Sequence, residues 1–147
     1  MGLFDRVKGA KDAETKLSKE ESFVSIALAA VAADGIITQE EANGLIVGMM
    51  RMKMFRGYSS NQMGAVLNKC VNIVQKQGVD ALINLAKDSL AEDMRETAFA
   101  VATDLALADG EIAQEEKNIL TKIQQALAVP EDKAVNIIEV MLVKNKG

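Results

Sequence analysis

The sequence predicts an all-α protein in which two related halves share one core. The first observation is composition: Ala, Leu, Lys and Glu, which favour helices, are among the commonest residues, aromatic residues make up only 3% of the chain, and Pro130 is the only proline. The second is a series of apolar segments at helical spacing, each bounded by a capping pattern or a glycine. The third is an acidic motif that occurs once in each half. A length of 147 residues suits one domain.

The first two long helices are predicted from capping boxes, in which a hydroxyl side chain and a glutamate three residues later bond to each other's backbone amides. The segment Ser18-Lys19-Glu20-Glu21 predicts that a helix begins near Ser18, and Asp34-Gly35 predicts its end. This helix is so apolar that we expect it to be central. The segment Thr38-Gln39-Glu40-Glu41 opens a second helix that should run through Lys53. Gly44 and Gly48 lie on one face of it and predict a close helix crossing.

Further along the chain, helical spacing predicts four more elements. A third helix should run from Ser60 to Gln77 and stop at Gly78, a shorter one should cover Val79 to Lys87, and another should run from about Glu92 to Asp109. A final helix enters at Pro130, a position that tolerates proline. We expect it to contribute four apolar residues to the core: Val135, Ile138, Met141 and Leu142.

The chain repeats itself at an offset of 75 residues (109 − 34 = 75). The segment 33–41, ADGIITQEE, aligns with 108–116, ADGEIAQEE, and seven of the nine positions are identical. This match predicts duplication of a helix-turn-helix unit with pseudo-two-fold symmetry. We therefore interpret residues 1–147 as one domain, made of a short N-terminal amphipathic helix and tether (1–17), a first repeat (18–56), a second repeat (91–128) and a C-terminal helix (129–147).

Composition also narrows the functional classes. A net charge of −4 gives no general attraction to nucleic acid, so we expect no nucleic-acid partner. No apolar run reaches the roughly 18–20 residues needed to span a bilayer, which favours a cytoplasmic protein without a transmembrane segment. Histidine is absent, and the single cysteine, Cys70, lies among apolar residues at helical spacing, so we interpret it as core. A metal ion bound by this chain would be held chiefly by oxygen.

The acidic turns are the main candidate site. Their pattern Asp-Gly-x-Ile-x-x-x-Glu resembles the second half of an EF-hand loop, but alanine or leucine stands where the loop's first two acidic ligands belong. If the two turns face each other, Asp34, Glu41, Asp109 and Glu116 could together supply enough oxygen ligands for calcium. Capping alone explains Glu41, and an Asx turn would explain each aspartate, so both interpretations stay open.

These motifs resemble the TerB proteins of tellurite-resistance systems and the wider TerB-like helical domains. The resemblance rests on four segments in their order along the chain: Leu3-Phe4-Asp5-Arg6-Val7-Lys8-Gly9-Ala10, Ala33-Asp34-Gly35 and Ala108-Asp109-Gly110 with their following glutamates, and Leu127-Ala128-Val129-Pro130-Glu131-Asp132. It implies a compact bundle of about seven helices. It also implies a non-enzymatic stress-response role in the cytoplasm, alongside other Ter-system proteins at the inner face of the membrane.

The resemblance further implies that acidic residues bind a divalent metal ion, for which calcium is our first choice. Carried over by motif, the ligands are Asp34, Glu41, Asp109 and Glu116. Secondary candidates are Glu40, Glu115 and, from the second turn alone, Glu111. The first turn departs from the pattern by placing two isoleucines after its glycine.

The alternative function is a helical protein-interaction scaffold without a metal site. Its evidence is a set of methionines, whose flexible side chains suit an adaptable apolar groove: Met49, Met50, Met52, Met54 and Met63. The N-terminal segment places Leu3, Phe4 and Val7 on one helical face, and we expect it to dock on the protein's own core or to touch a membrane surface. The sequence contains no nucleophile paired with histidine and no cofactor motif, so we predict no enzymatic activity.

Overall fold

The computed structural model describes residues 16–108 and 110–147. Within these residues the chain forms seven α-helices and no strand, which confirms the predicted all-α class. Two short 3₁₀ helices, Lys53–Phe55 and Glu92–Met94, lie in the connections. The α-helices are α1 (Lys19–Val31), α2 (Gln39–Met50), α3 (Ser60–Gln77), α4 (Val79–Ser89), α5 (Arg95–Ala106), α6 (Gln114–Ala126) and α7 (Glu131–Lys144).

Helix α1 is the centre of the bundle. Every residue from Ser22 to Ala30 is buried, so the helix is enclosed on all sides and packs against α2 through α6. Its polar interior position Ser25 is satisfied, because the hydroxyl donates to the Glu21 carbonyl oxygen at 2.7 Å. The prediction of a central first helix is therefore confirmed.

The capping boxes begin the helices where the sequence predicts. Glu21 accepts a hydrogen bond from the Ser18 amide at 2.8 Å, and Glu41 accepts one from the Thr38 amide at 2.9 Å. A third box starts α3, where Gln62 takes the part of the glutamate and accepts from the Ser59 amide at 2.7 Å. Local chemistry thus sets these helix starts.

The two halves share local geometry at the offset of 75. Helix α2 begins at Gln39 and α6 at Gln114, and α1 and α5 end at Val31 and Ala106. In each half the glutamine at the helix start donates to an asparagine one turn later, at 3.1 Å in α2 and 3.0 Å in α6. The turn glycines have φ of 84° and 82°. Duplication with pseudo-two-fold symmetry remains a prediction.

The expected close crossing at Gly44 and Gly48 was wrong. A Cβ atom added at either glycine would meet nothing within 4 Å, because this face of α2 looks into open space. Helix α2 also ends earlier than predicted, at Met50, and a 3₁₀ turn covers the segment that reaches Lys53.

The final helix packs less deeply than predicted. It contacts chiefly α5, and Ala134 is its one buried residue. Ile138 and Met141 are half-buried, whereas Val135 and Leu142 are 46% and 48% exposed, so their placement in the core was wrong. These two side chains lie on the flank of α7 that faces α6, and no further helix of the described residues covers that flank.

Cys70 lies in the core, as predicted. It is fully buried on α3, and its Sγ lies 3.2 Å from the Ser25 hydroxyl. Burial raises the pKa of this thiol to about 11, so at neutral pH it is protonated and unsuited to act as a ligand or nucleophile.

Residues 1–15, which include the predicted N-terminal helix, lie outside the described residues. Asp109 of the second turn also lies outside them. Among the described helices, none combines the length and the apolar character needed to cross a membrane.

Gly48→Ala should stabilise the protein. Position 48 is inside a helix and has free space for a methyl group, so alanine should raise the free energy of unfolding by about 0.5–1 kcal/mol. Urea denaturation measures this change. Gly78→Ala is the control and should destabilise the protein, because Gly78 has a φ of 90°. A Gly48→Ala variant that is less stable than wild type would contradict the open packing of this face.

Ala113→Thr should also be stabilising. Ala113 has φ −77° and ψ 162° at the start of α6, nearly the values of Thr38 at the start of α2, but it lacks an oxygen for the Glu116 amide. Threonine would complete the capping box and add about 1 kcal/mol to the free energy of unfolding. The converse variant, Thr38→Ala, should lose a similar amount. Equal denaturation midpoints for Ala113→Thr and wild type would show that the cap geometry differs between the halves.

Cys70 should make stability fall at alkaline pH. Its pKa is about 11 in the folded protein against an ordinary value of 9.0, so the folded state retains the proton that the unfolded state loses. This contribution is fully present below pH 9 and is lost as the pH rises to 11, by about 2–3 kcal/mol. Denaturation of wild type and Cys70→Ser across this range isolates the effect. Parallel pH profiles would contradict it.

Candidate metal centre

The described carboxylates of the acidic turns each bond to a nearby backbone amide. Asp34 accepts from the Ile36 amide at 3.0 Å, which forms the Asx turn that the sequence allowed. Glu41 and Glu116 accept from the amides of Thr38 and Ala113, each at 2.9 Å. The second oxygen of each carboxylate has no hydrogen-bond or ion-pair partner among the described residues. Each of these three carboxylates therefore uses one of its two oxygens in a local hydrogen bond to the backbone.

Three of the predicted glutamates line one hollow, which we call the acidic groove. Glu40 and Glu41 come from the first turn of α2, and Glu116 comes from the first turn of α6. The groove has a volume of about 480 Å³, and the described residues that line it include no lysine or arginine. Its remaining walls are small or apolar: Val31, Gly44, Leu45, Leu105, Ala106 and Ala108.

Helix ends add to the electrostatics of the acidic groove. Val31 is the last residue of α1 and Ala106 the last of α5, so the carboxyl ends of both helices border the groove. The carboxyl ends of α1 and α5 carry partial negative charge. This charge offsets the partial positive charge at the amino ends of α2 and α6, where the glutamates lie. The three carboxylates therefore leave the described lining of the groove with a net negative charge.

Asp34 and Glu115 lie elsewhere. Both line a neighbouring hollow of about 470 Å³ that also contains Asp80 and Lys122. The Lys122 ammonium lies 3.0 Å from an Asp80 carboxylate oxygen and supplies positive charge there. The first-choice ligands that the structure describes thus divide between two hollows, with Asp34 in one and Glu41 and Glu116 in the other.

The other two candidates belong to the second turn. Glu111 is exposed and lines neither hollow, and Asp109 lies outside the described residues. Within 16–108 and 110–147, no three acidic or cysteine side chains are grouped closely enough to hold an ion by themselves. The oxygen chemistry of the acidic groove fits a hard cation such as calcium, but water or further oxygens must complete the coordination.

A second groove was missed by the sequence analysis. It lies between α6 and α7, has a volume of about 470 Å³, and we call it the apolar groove. The spacing of residues 135, 138 and 142 marked one apolar ridge correctly, but it does not say whether another helix covers that ridge. The apolar lining consists of Phe99, Leu107, Ile112, Leu120, Ala134, Val135, Ile138 and Leu142.

The methionines do not form this groove. Met49 and Met63 are in the core, and Met50, Met52 and Met54 are half-buried and packed against it. None of the five lines the acidic groove or the apolar groove. Because Met49 and Met63 are buried in the core, they are not available to a partner protein. The alternative function, a Met-rich interaction groove, therefore has less support.

The family assignment follows from a comparison with known proteins. The model of a family described as tellurite resistance protein TerB matches residues 20–138, which is well over half of the chain and extends from α1 into α7. No curated protein and no solved structure matches the chain. The match includes both acidic turns and the walls of the acidic groove. The chain belongs to the TerB family of tellurite resistance proteins.

Proposed function

We propose that this protein is a non-enzymatic, divalent-cation-binding member of the tellurite-resistance machinery. The supporting observation is that glutamates from both halves line a single groove whose described lining includes no basic residue. Glu41 and Glu116 each retain one carboxylate oxygen beyond the one used for capping. Asp109 precedes Gly110 on the second turn and is the further ligand that the motif supplies.

Calcium is the cation that this groove suits best. Calcium accepts six to eight oxygen ligands in irregular arrangements, whereas magnesium requires a near-ideal octahedron and gives up its waters reluctantly. The bonds of Glu41 and Glu116 to backbone amides limit how far these two carboxylates can move toward one point. We therefore expect a hydrated site of modest affinity that prefers calcium to magnesium.

The proposed setting is the cytoplasm, in contact with other Ter-system proteins at the inner face of the membrane. Membership of the TerB family supports this setting. Co-sedimentation with inner-membrane vesicles that contain those proteins tests it. Equal recovery on vesicles that lack them would oppose a Ter partner.

Replacing the groove glutamates by glutamine should weaken calcium binding without disturbing the fold. Glutamine makes this same cap at Gln62, so Glu41→Gln and Glu116→Gln should keep their helix starts while losing two charges. We expect the dissociation constant for calcium, measured by isothermal titration calorimetry, to rise tenfold or more, since each 1.4 kcal/mol corresponds to a factor of ten.

The control is Glu92→Gln/Asp93→Asn, which removes two exposed charges outside the acidic groove. It should bind calcium like wild type, and thermal unfolding should show that both double variants remain folded. If calcium binding weakened equally in the two double variants, the effect would be due to the lower net charge and not to the acidic groove. An unchanged isotherm for Glu41→Gln/Glu116→Gln would remove the groove from any metal role.

A further inference from the structure

The apolar groove lacks a cover among the described residues. Its floor is formed by Phe99 and Leu107, which are buried, and its open side by Val135 and Leu142, which are about half exposed. Its volume of about 470 Å³ lies within the roughly 300–1,000 Å³ of sites that enclose ligands. An apolar trough between two helices is the kind of surface that receives the apolar face of another helix.

We propose that residues 3–8 of this same chain occupy the apolar groove. The sequence of this segment, Leu-Phe-Asp-Arg-Val-Lys, places Leu3, Phe4 and Val7 within one turn of a helix, on one face. Three large apolar side chains suit a trough with apolar walls on α6 and α7. This inference does not depend on the proposed metal site.

The length of the chain permits this docking. The described part begins at Lys16, so residues 9–15 form a tether of seven residues between it and the proposed helix. Extended, these seven residues reach about 23–25 Å. A domain of this size has a radius of gyration of about 14 Å, so the tether is longer than that radius and can reach an adjacent face of the bundle. The tether residues are polar or small, as a surface segment requires.

Charge supports the same occupant. The lysines of α7 pair with α5, since Lys133 lies 3.8 Å from Glu96 and Lys144 lies 3.1 Å from Asp104. The acidic residues of α7 have no ion-pair partner among the described residues: Glu131, Asp132 and Glu139.

The proposed segment supplies the missing charges. Arg6 and Lys8 flank Val7, and they can meet the acidic side of α7. Asp5 can meet Lys117, which lines the α6 side of the groove and has no ion pair within the described residues. Both signs of charge on the segment thus have a counterpart on the groove.

A spin label tests the placement in the full chain. Gly2→Cys provides the attachment point, and the buried thiol of Cys70 should not react, as wild type treated with the same reagent will show. We expect the label to broaden and remove the amide signals of Ile112, Leu120, Val135 and Leu142 while leaving that of Val47, on α2, unchanged.

Two variants of the labelled chain test the apolar contacts. Leu3→Ser/Phe4→Ser/Val7→Ser removes the apolar face and should restore the groove signals. Lys11→Ser/Asp12→Ser/Glu14→Ser makes the same number of changes in the tether and should keep the signals broadened. From the groove side, Val135→Glu, at a half-exposed position that leaves the core intact, should also release the segment.

Three outcomes would overturn the proposal. The groove signals could keep their full intensity in the labelled wild-type background. Broadening could appear equally in a mixture of labelled, unenriched chains with unlabelled, isotope-enriched chains, which would assign the groove to a second copy. The label could affect no protein signal yet become immobilised when anionic phospholipid vesicles are added, which would assign the segment to a membrane surface.

Discussion

The complete burial of α1 is the constraint on which the rest of the structure depends. A helix enclosed from Ser22 to Ala30 needs neighbours on every side, and five other helices supply them. Alanines at Ala27, Ala29 and Ala30 let those neighbours approach closely, and the Ser25 hydroxyl is satisfied within its own helix. Because α1 packs along α5, the ends of the two helices lie at the same groove, and the turns that follow bring glutamates from both halves to it.

Capping and cation binding are compatible uses of the same glutamates. A carboxylate has two oxygens, and the backbone amides of Thr38 and Ala113 each occupy one. Fixing one oxygen reduces the number of side-chain conformations, so the second oxygen is held near the groove at little further entropic cost. The same tether limits how far either carboxylate can move toward an ion. This geometry favours a cation that tolerates irregular coordination over one that demands a fixed octahedron.

The sequence predicted the features that local chemistry determines. The starts of α1 and α2 follow from Ser18 and Thr38, and Gly78 ends α3 where a positive φ is required. It did not predict the features that depend on which element lies opposite. Val135 and Leu142 have core-like spacing, but spacing does not show that α6 leaves a trough beside them. Likewise, a shared motif did not show that Asp34 and Glu41 would face different hollows, because the turn between them redirects the chain.

The acidic groove and the apolar groove meet at the second turn. Leu107 and Ile112, which lie on either side of it, line the apolar groove, while Ala108 and Glu116 line the acidic one. The turn also lies beside the end of α7, since a Cβ on Gly110 would be 3.9 Å from the Asn145 carbonyl oxygen. A ligand in either groove therefore contacts residues on the same short segment. If the two ligands favour the same conformation of that segment, each must strengthen the binding of the other by an equal factor, because binding free energies are linked reciprocally.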